Sequence, residues 1–226
     1  MSAIFLGSIA IAYGVPLLWI GIRREPRALA GLAIGLAVTF AGFCGYAVLE
    51  MVRGPRSSPV QWFAIATALL TLASVAVYFW SRRLPFKELR AVPRSARVPM
   101  TAIALVVIVV GCALVFCVPI FPWRLSPAIS VTYGWIFFGA AAYFLYAFAH
   151  PSWANAHGQL MGFLAYALVL FVPFATHLKT VPAELRLSLI VYLIVLTFGS
   201  ATAIFFLFAT KASRLSLSSR GTAVPL

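Results

Sequence analysis

Two histidines are the residues of this chain best suited to hold a cofactor. His150 and His157 flank a short connector without charged residues, 150–157, that separates two apolar stretches. Facing imidazoles on adjacent helices can ligate a haem iron or the metal of another porphyrin. The chain has no haem-attachment motif, and both histidines lie at the rim of the apolar stretches. We therefore expect solvated, interfacial histidines and no cofactor, with a haem or chlorin held by this pair as the less favoured alternative.

Signatures of catalysis and of ion coupling are missing from the sequence. It contains no phosphate-binding Gly-rich loop, no HExxH and no Gly-x-Ser-x-Gly, and its three cysteines lack metal-ligand spacing. The acid inside an apolar stretch is Glu50, one helical turn before Arg53. An i,i+3 ion pair accounts for that carboxylate, and a carboxylate lining an ion path is the alternative. The pattern favours a non-catalytic protein.

Glycines recur at helical spacing in the first two apolar stretches. Such stripes let helix backbones approach closely, which is how helices associate in a lipid environment. The spacing predicts helix packing within the bundle, with contact to another subunit as the alternative. The glycines concerned are Gly7, Gly14, Gly21, Gly31, Gly35, Gly42 and Gly45.

Six cations cluster in one hydrophilic segment, 81–98. Beside a cytoplasmic leaflet, each would attract anionic lipid headgroups by about 1 kcal/mol. We expect this loop to contact anionic lipid or an acidic partner, unless it serves only to set topology. The cations are Arg82, Arg83, Lys87, Arg90, Arg94 and Arg97.

The elements that must position these residues are long apolar helices. Of the 226 residues, 63% are hydrophobic and 9% charged, and the mean hydropathy is +1.03. Soluble globular domains carry about 25% charged residues, and a helix needs about 20 apolar residues to cross a bilayer. The sequence predicts an all-α membrane protein with one domain, 1–210, and a cytoplasmic tail, 211–226. The predicted spans are 3–22, 28–52, 60–80, 99–121, 127–149, 158–178 and 183–209.

Basic residues predict the orientation of this bundle. With the N-terminus outside and the C-terminus inside, 12 of the 17 Lys and Arg residues lie on the cytoplasmic side. The positive-inside rule favours that arrangement over its inverse. The net charge of +13 thus reports mainly orientation, and we expect no nucleic-acid partner.

The sequence favours a structural or accessory subunit of a larger membrane assembly, in a bacterial cytoplasmic membrane. Apolar faces, small-residue contacts and a basic surface suit a partner subunit and anionic lipid. The alternative is a carrier or binder of a small neutral or lipophilic molecule, with Pro16 and Pro173 shaping its cavity. A haem-binding or pigment-binding subunit, through the histidine pair, is the third interpretation.

Overall fold

The computed structural model describes residues 1–54, 57–88 and 90–209. The described chain is all-helical, and seven of its helices are long and apolar enough to cross a membrane, as predicted. A 3-10 turn, Pro26–Ala28, precedes the second helix, and a π-helical turn, Phe205–Ala209, extends the seventh. The helices are α1 (Ser2–Arg23), α2 (Leu29–Arg53), α3 (Ser58–Arg82), α4 (Arg94–Val115), α5 (Pro127–Ala149), α6 (Trp153–His177) and α7 (Ala183–Ile204).

The fourth helix is displaced from its predicted range 99–121. It begins at Arg94, directly after Pro93, and Pro99 lies inside it rather than at its start. It ends at Val115 because Cys117 adopts a left-handed conformation, with φ of 56°. The Val118 amide then reaches back to the Ala113 carbonyl at 2.9 Å, which closes a Schellman-type cap.

The sixth helix begins five residues before the predicted start at 158. Ser152 caps it, and its hydroxyl accepts a hydrogen bond from the Asn155 amide at 3.4 Å. His157 therefore lies within α6 and not in a connector. The basic loop is also shorter than the predicted 81–98, because Arg82 is the last residue of α3, whereas Arg94 and Arg97 belong to α4.

The helices form two layers. In one layer the order of neighbours is α3, α2, α5 and α4, and in the other it is α1, α6 and α7. Aromatic side chains fill the space between them. Phe5 of α1 is completely buried, and its ring centroid lies 4.6 Å from that of Tyr133 of α5 and 5.2 Å from that of Phe121. This aromatic contact joins the two layers near the N-terminus of α1.

Close backbone approach within the first layer depends on the glycines of α2. Gly31, Gly35 and Gly42 face α5, and a Cβ atom on Gly35 would lie 2.8 Å from the carbonyl oxygen of Gly139. That distance is far below ordinary contact, so a larger residue would push the two helices apart. Other close approaches use glycines that the sequence reading did not single out: Gly111, Gly134, Gly139, Gly162 and Gly199.

The remaining predicted glycines have open space around them. A Cβ atom added at each would meet nothing within 4 Å. On α1 the reason is the rotation of the helix, which buries Phe5, Ser8, Pro16 and Ile20 instead. Packing inside the described bundle therefore does not account for Gly7, Gly14, Gly21 and Gly45.

The connecting segments meet at two opposite ends of the bundle. One, called the Arg-rich end here, contains the end of α1, the residues 83–88 and 90–93, and the start of α6; there Arg27 Nη1 donates to the Ser81 carbonyl at 3.3 Å. At the opposite end, Trp123 Nε1 donates to the Ser2 hydroxyl at 3.1 Å, and Arg124 pairs with Glu184 at 3.1 Å.

Candidate functional site

An inner cavity of about 80 Å³ lies between the two layers. Its walls are mostly apolar, with Val107, Ile136 and Phe137 among them, and the phenol rings of Tyr13 and Tyr166 contribute as well. The polar group that stands out is the amide of Gln159. Its side chain is 1% exposed, and its Nε2 donates to the Tyr143 carbonyl.

The amide oxygen of Gln159 has no hydrogen-bond partner among the described residues. Leaving a buried acceptor unpaired costs about 1–3 kcal/mol, so native structures rarely do it without a reason. Glycines at 158 and 162 bring this stretch of α6 close to its neighbours. A Cβ atom on Gly162 would lie 2.6 Å from the Ala12 carbonyl oxygen, and one on Gly158 would lie 2.9 Å from the Tyr143 hydroxyl. The amide is thus held at the cavity by tight packing on both sides.

A lateral crevice of about 310 Å³ opens between α4 and α7, the edge helices of the two layers. Its walls are mainly valine and aromatic side chains, including Val106, Val110, Val191 and Val195. The crevice and the inner cavity have four lining residues in common, so the two spaces adjoin. These are Val107, Phe137, Phe163 and Tyr166.

A polar cavity of about 190 Å³ lies at the Arg-rich end. The imidazole of His157 stacks on the Trp19 ring at 4.7 Å between centroids, and Trp153 meets it edge-on at 5.9 Å. Trp19 Nε1 and His157 Nδ1 are both buried and lack partners among the described residues. The residues that line this cavity are Trp19, Arg23, Glu25, Lys87, Glu88, Arg90, Trp153 and His157.

A buried carboxylate anchors the segment that closes the polar cavity. Glu25, 3% exposed, accepts hydrogen bonds from the backbone amides of Lys87 at 3.0 Å and Glu88 at 3.2 Å. Glu88 pairs with Arg90 at 2.6 Å, and the hydrogen bond from that guanidinium holds the pKa of the Glu88 carboxyl below its ordinary value. The carboxylates of Glu25 and Glu88 therefore both bind groups of this segment.

Two backbone hydrogen bonds attach the same segment to the start of α6. The Val92 amide donates to the Pro151 carbonyl at 3.0 Å, and the Trp153 amide donates to the Arg90 carbonyl at 2.8 Å. They flank an isolated antiparallel bridge between Ala91 and Ser152. Lys87 and Arg90 are thus positioned over the cavity rather than spread along a free loop.

The two histidines have different surroundings. The His150 ring stacks on Tyr146, with centroids 4.3 Å apart, and its Nδ1 lies 3.3 Å from the Tyr146 carbonyl oxygen. His150 is not among the residues that line the polar cavity, whereas His157 is. In the described chain, no group of three or more His, Cys, Asp or Glu side chains is arranged to hold a metal ion. His157 is half-buried, and the rings of Trp19 and Trp153 pack against its imidazole.

The predicted ion pair between Glu50 and Arg53 does not form, since no salt bridge joins the two side chains. Both line a groove of about 730 Å³ near the far end of α2, together with Tyr46, Cys117 and Trp135.

Sequence reasoning did not single out Gln159 or Trp19. For Gln159 the sequence did contain a signal, because a glutamine inside a predicted span must find a hydrogen-bond partner away from lipid. For Trp19, nothing in the sequence pairs it with His157.

No family model, curated protein or solved structure matches this chain. The fold itself defines a class, namely an all-helical protein with seven helices long and apolar enough to cross a membrane.

Proposed function

We propose that the protein spans a membrane and binds a lipophilic molecule with one polar end, which enters from the bilayer through the lateral crevice. The observation that carries this proposal is the unpartnered amide oxygen of Gln159, buried directly behind the wall of that crevice. An acceptor of this kind favours a ligand that donates a hydrogen bond at the end of an apolar chain.

The side chains that line the crevice and the inner cavity limit the class of ligand. Valine and aromatic side chains suit a hydrocarbon chain, and no Asp, Glu, Lys or Arg lines the crevice or the inner cavity. A charged end group would have no counter-ion there and would be costly to bury. A neutral lipophilic alcohol or amide is therefore the class of ligand that fits.

A photo-crosslinking experiment tests this proposal. The purified protein, in phosphatidylcholine nanodiscs, is irradiated with a long-chain alcohol carrying a diazirine, and labelled peptides are mapped by mass spectrometry. We expect labels on α4, α6 and α7 around Phe163 and Tyr166. Unlabelled excess alcohol should suppress them more than an excess of the matching alkane does.

Two valines on α4 provide matched variants. Val106→Trp would fill the crevice, whereas Val109→Trp adds the same bulk on a face that is 67% exposed and does not line it. We expect Val106→Trp to lower crevice labelling at least about fivefold and Val109→Trp to leave it unchanged. Labelling spread evenly over the exposed faces, or equal effects of the two variants, would rule the crevice out as a binding site.

A second candidate function is an accessory subunit of a membrane assembly, as the sequence favours. The observation in its favour is α1, whose Gly7, Gly14 and Gly21 meet nothing within 4 Å. If a partner helix packs there, Gly14→Leu should release a protein that co-migrates after extraction in mild detergent. Gly45→Leu, which also has open space but on α2, should retain it. Recovery of a lone monomer in several detergents would count against this function.

Location and orientation belong to the same proposal. We place the Arg-rich end in the cytoplasm, with the N-terminus outside, in a bacterial cytoplasmic membrane. The support is the excess of Lys and Arg at that end.

A further inference from the structure

We infer that the polar cavity at the Arg-rich end is a binding site for a phosphate group, held by Arg23, Lys87, Trp19 Nε1 and His157 Nδ1. This inference is independent of the crevice ligand. It depends on the proposed membrane position only for the choice of phosphate over other oxyanions.

The charges that line the cavity favour an anion. Its three cations and two carboxylates leave one surplus positive charge. Both carboxylates are already engaged: Glu25 accepts two backbone amides, and Glu88 is paired with Arg90. Neither Arg23 nor Lys87 forms a salt bridge with a carboxylate of the described residues. The charged side chains of the cavity that take part in none of these contacts are therefore positive.

The unpaired polar atoms point to the same conclusion. An indole N–H is a donor and never an acceptor, and an imidazole Nδ1 donates in one of its two neutral tautomers. Trp19 Nε1 and His157 Nδ1 are both buried without partners, although their rings are fixed by stacking. Two positioned donors beside two uncommitted cations form a set that oxyanions satisfy, because charge-assisted hydrogen bonds to oxygen are the strongest available here.

The same aromatic walls also raise the possibility of a cation cage. The faces of tryptophan rings such as those of Trp19 and Trp153 attract organic cations. Here the carboxylates are committed, and a second cation would face Arg23, Lys87 and Arg90 across the cavity. The balance of charge in the cavity therefore favours an anion over a cation as its ligand.

Size and position suit a phosphate group. A volume of about 190 Å³ exceeds several times the roughly 30 Å³ that one water molecule occupies in the liquid. Trp19 and Trp153 stand near the ends of α1 and α6, where tryptophan marks the membrane–water boundary. Lipid phosphates lie at that depth, so the group can come from a lipid headgroup or from a soluble phosphate.

The experiment separates these two sources. In neutral detergent, calorimetric titration with inorganic phosphate and with glycerol phosphate measures binding of the soluble group. In nanodiscs, native mass spectrometry compares retained lipid in phosphatidylcholine discs with and without phosphatidylglycerol. Saturable binding in detergent identifies a soluble phosphate. Retention of phosphatidylglycerol in nanodiscs, without saturable binding in detergent, identifies a lipid headgroup. Absence of binding in both arms overturns the inference.

Neighbouring residues supply matched variants. Arg23→Gln removes a cation that lines the cavity, and Arg24→Gln removes the same charge from the next residue, which does not line it. Trp19→Phe keeps an aromatic ring for stacking and deletes only the N–H donor. We expect Arg23→Gln to weaken binding about tenfold and Trp19→Phe about fivefold, with Arg24→Gln within about twofold of the natural protein.

Equal losses in Arg23→Gln and Arg24→Gln would mean diffuse attraction to a basic surface and would overturn the inference. Unchanged affinity in both Arg23→Gln and Trp19→Phe would overturn it as well. The unfolding temperature of each variant without phosphate checks that the fold is intact. If Arg23→Gln does not fold, Lys87→Gln takes its place, because Lys87 is an exposed side chain that also lines the cavity.

Discussion

At the scale of single residues, Glu25 shows how one buried carboxylate determines the shape of a surface. It is 3% exposed, yet its partners are backbone amides of Lys87 and Glu88 rather than a cation. Backbone amides that donate to a buried carboxylate satisfy its oxygens without a cation. Because both amides come from the segment that covers the polar cavity, this contact holds Lys87 and Arg90 over it.

Replacement of Glu25 should therefore loosen that segment without unfolding the bundle. Glu25→Ala removes two charge-assisted hydrogen bonds and leaves both amides unpaired, which lowers the local opening free energy by about 2–3 kcal/mol. Amide hydrogen exchange at Lys87 and Glu88 should accelerate roughly 30- to 150-fold. Glu184→Ala, at a more exposed carboxylate near the opposite end, is the control and should not alter it. Exchange rates that stay the same after Glu25→Ala would show that the backbone contacts with α6 suffice.

At the scale of helices, glycines at helical spacing have opposite structural meaning in α1 and α2. A Cβ atom on Gly35 would lie 2.8 Å from the Gly139 carbonyl oxygen, whereas one on Gly14 would meet nothing within 4 Å. We expect Gly35→Ala to destabilise the bundle by about 1–3 kcal/mol through overpacking. Gly14→Ala should be neutral or stabilising by up to about 1 kcal/mol, because alanine favours the helix. Thermal unfolding in the same detergent measures both, and an equal loss at the two sites would contradict the α2–α5 interface.

The same contrast explains what sequence reasoning could predict about the elements. Length and hydropathy predicted seven helices, since spanning a bilayer sets both. They did not predict which face of each helix is buried, because lipid is as apolar as a protein core and leaves no periodic signal. Helix starts were missed where a local cap decides them, as Ser152 does for α6. Gln159 and His157 lie inside α6, and their partners come from α5 and α1, so their surroundings depended on packing that the sequence did not reveal.

At the scale of the whole molecule, the fold gathers charge that is dispersed along the chain. Arg23 and Arg27 belong to one stretch of sequence and Arg82 and Arg94 to another, yet the connecting segments bring all four to one end. At the opposite end lie Arg124 and Lys179, with Arg124 engaged by Glu184. The predicted cytoplasmic tail, 211–226, carries three further cations, Lys211, Arg214 and Arg220, which lie outside the described residues. The unequal distribution of Lys and Arg is therefore found between the two ends of the folded bundle as well as along the sequence.

If the bundle spans the membrane with the Arg-rich end in the cytoplasm, its two ends must differ in access from outside the cell. A cysteine-free background follows from Cys44→Ala, Cys112→Ala and Cys117→Gly, the last chosen because glycine tolerates the positive φ at that position. Arg124→Cys and Arg83→Cys then place one thiol at each end, both at exposed sites.

In intact cells, a membrane-impermeant maleimide should label Arg124→Cys and spare Arg83→Cys, and permeabilisation should make both reactive. The reverse pattern would place the N-terminus inside and would also put the polar cavity on the outer face, where it would meet a different pool of phosphate. Equal labelling of both thiols in intact cells would contradict a single orientation. Of the described Lys and Arg residues, nine lie at the Arg-rich end and four at the opposite end. The positive-inside rule predicts the first result, because it is harder to move nine cations across the membrane than four.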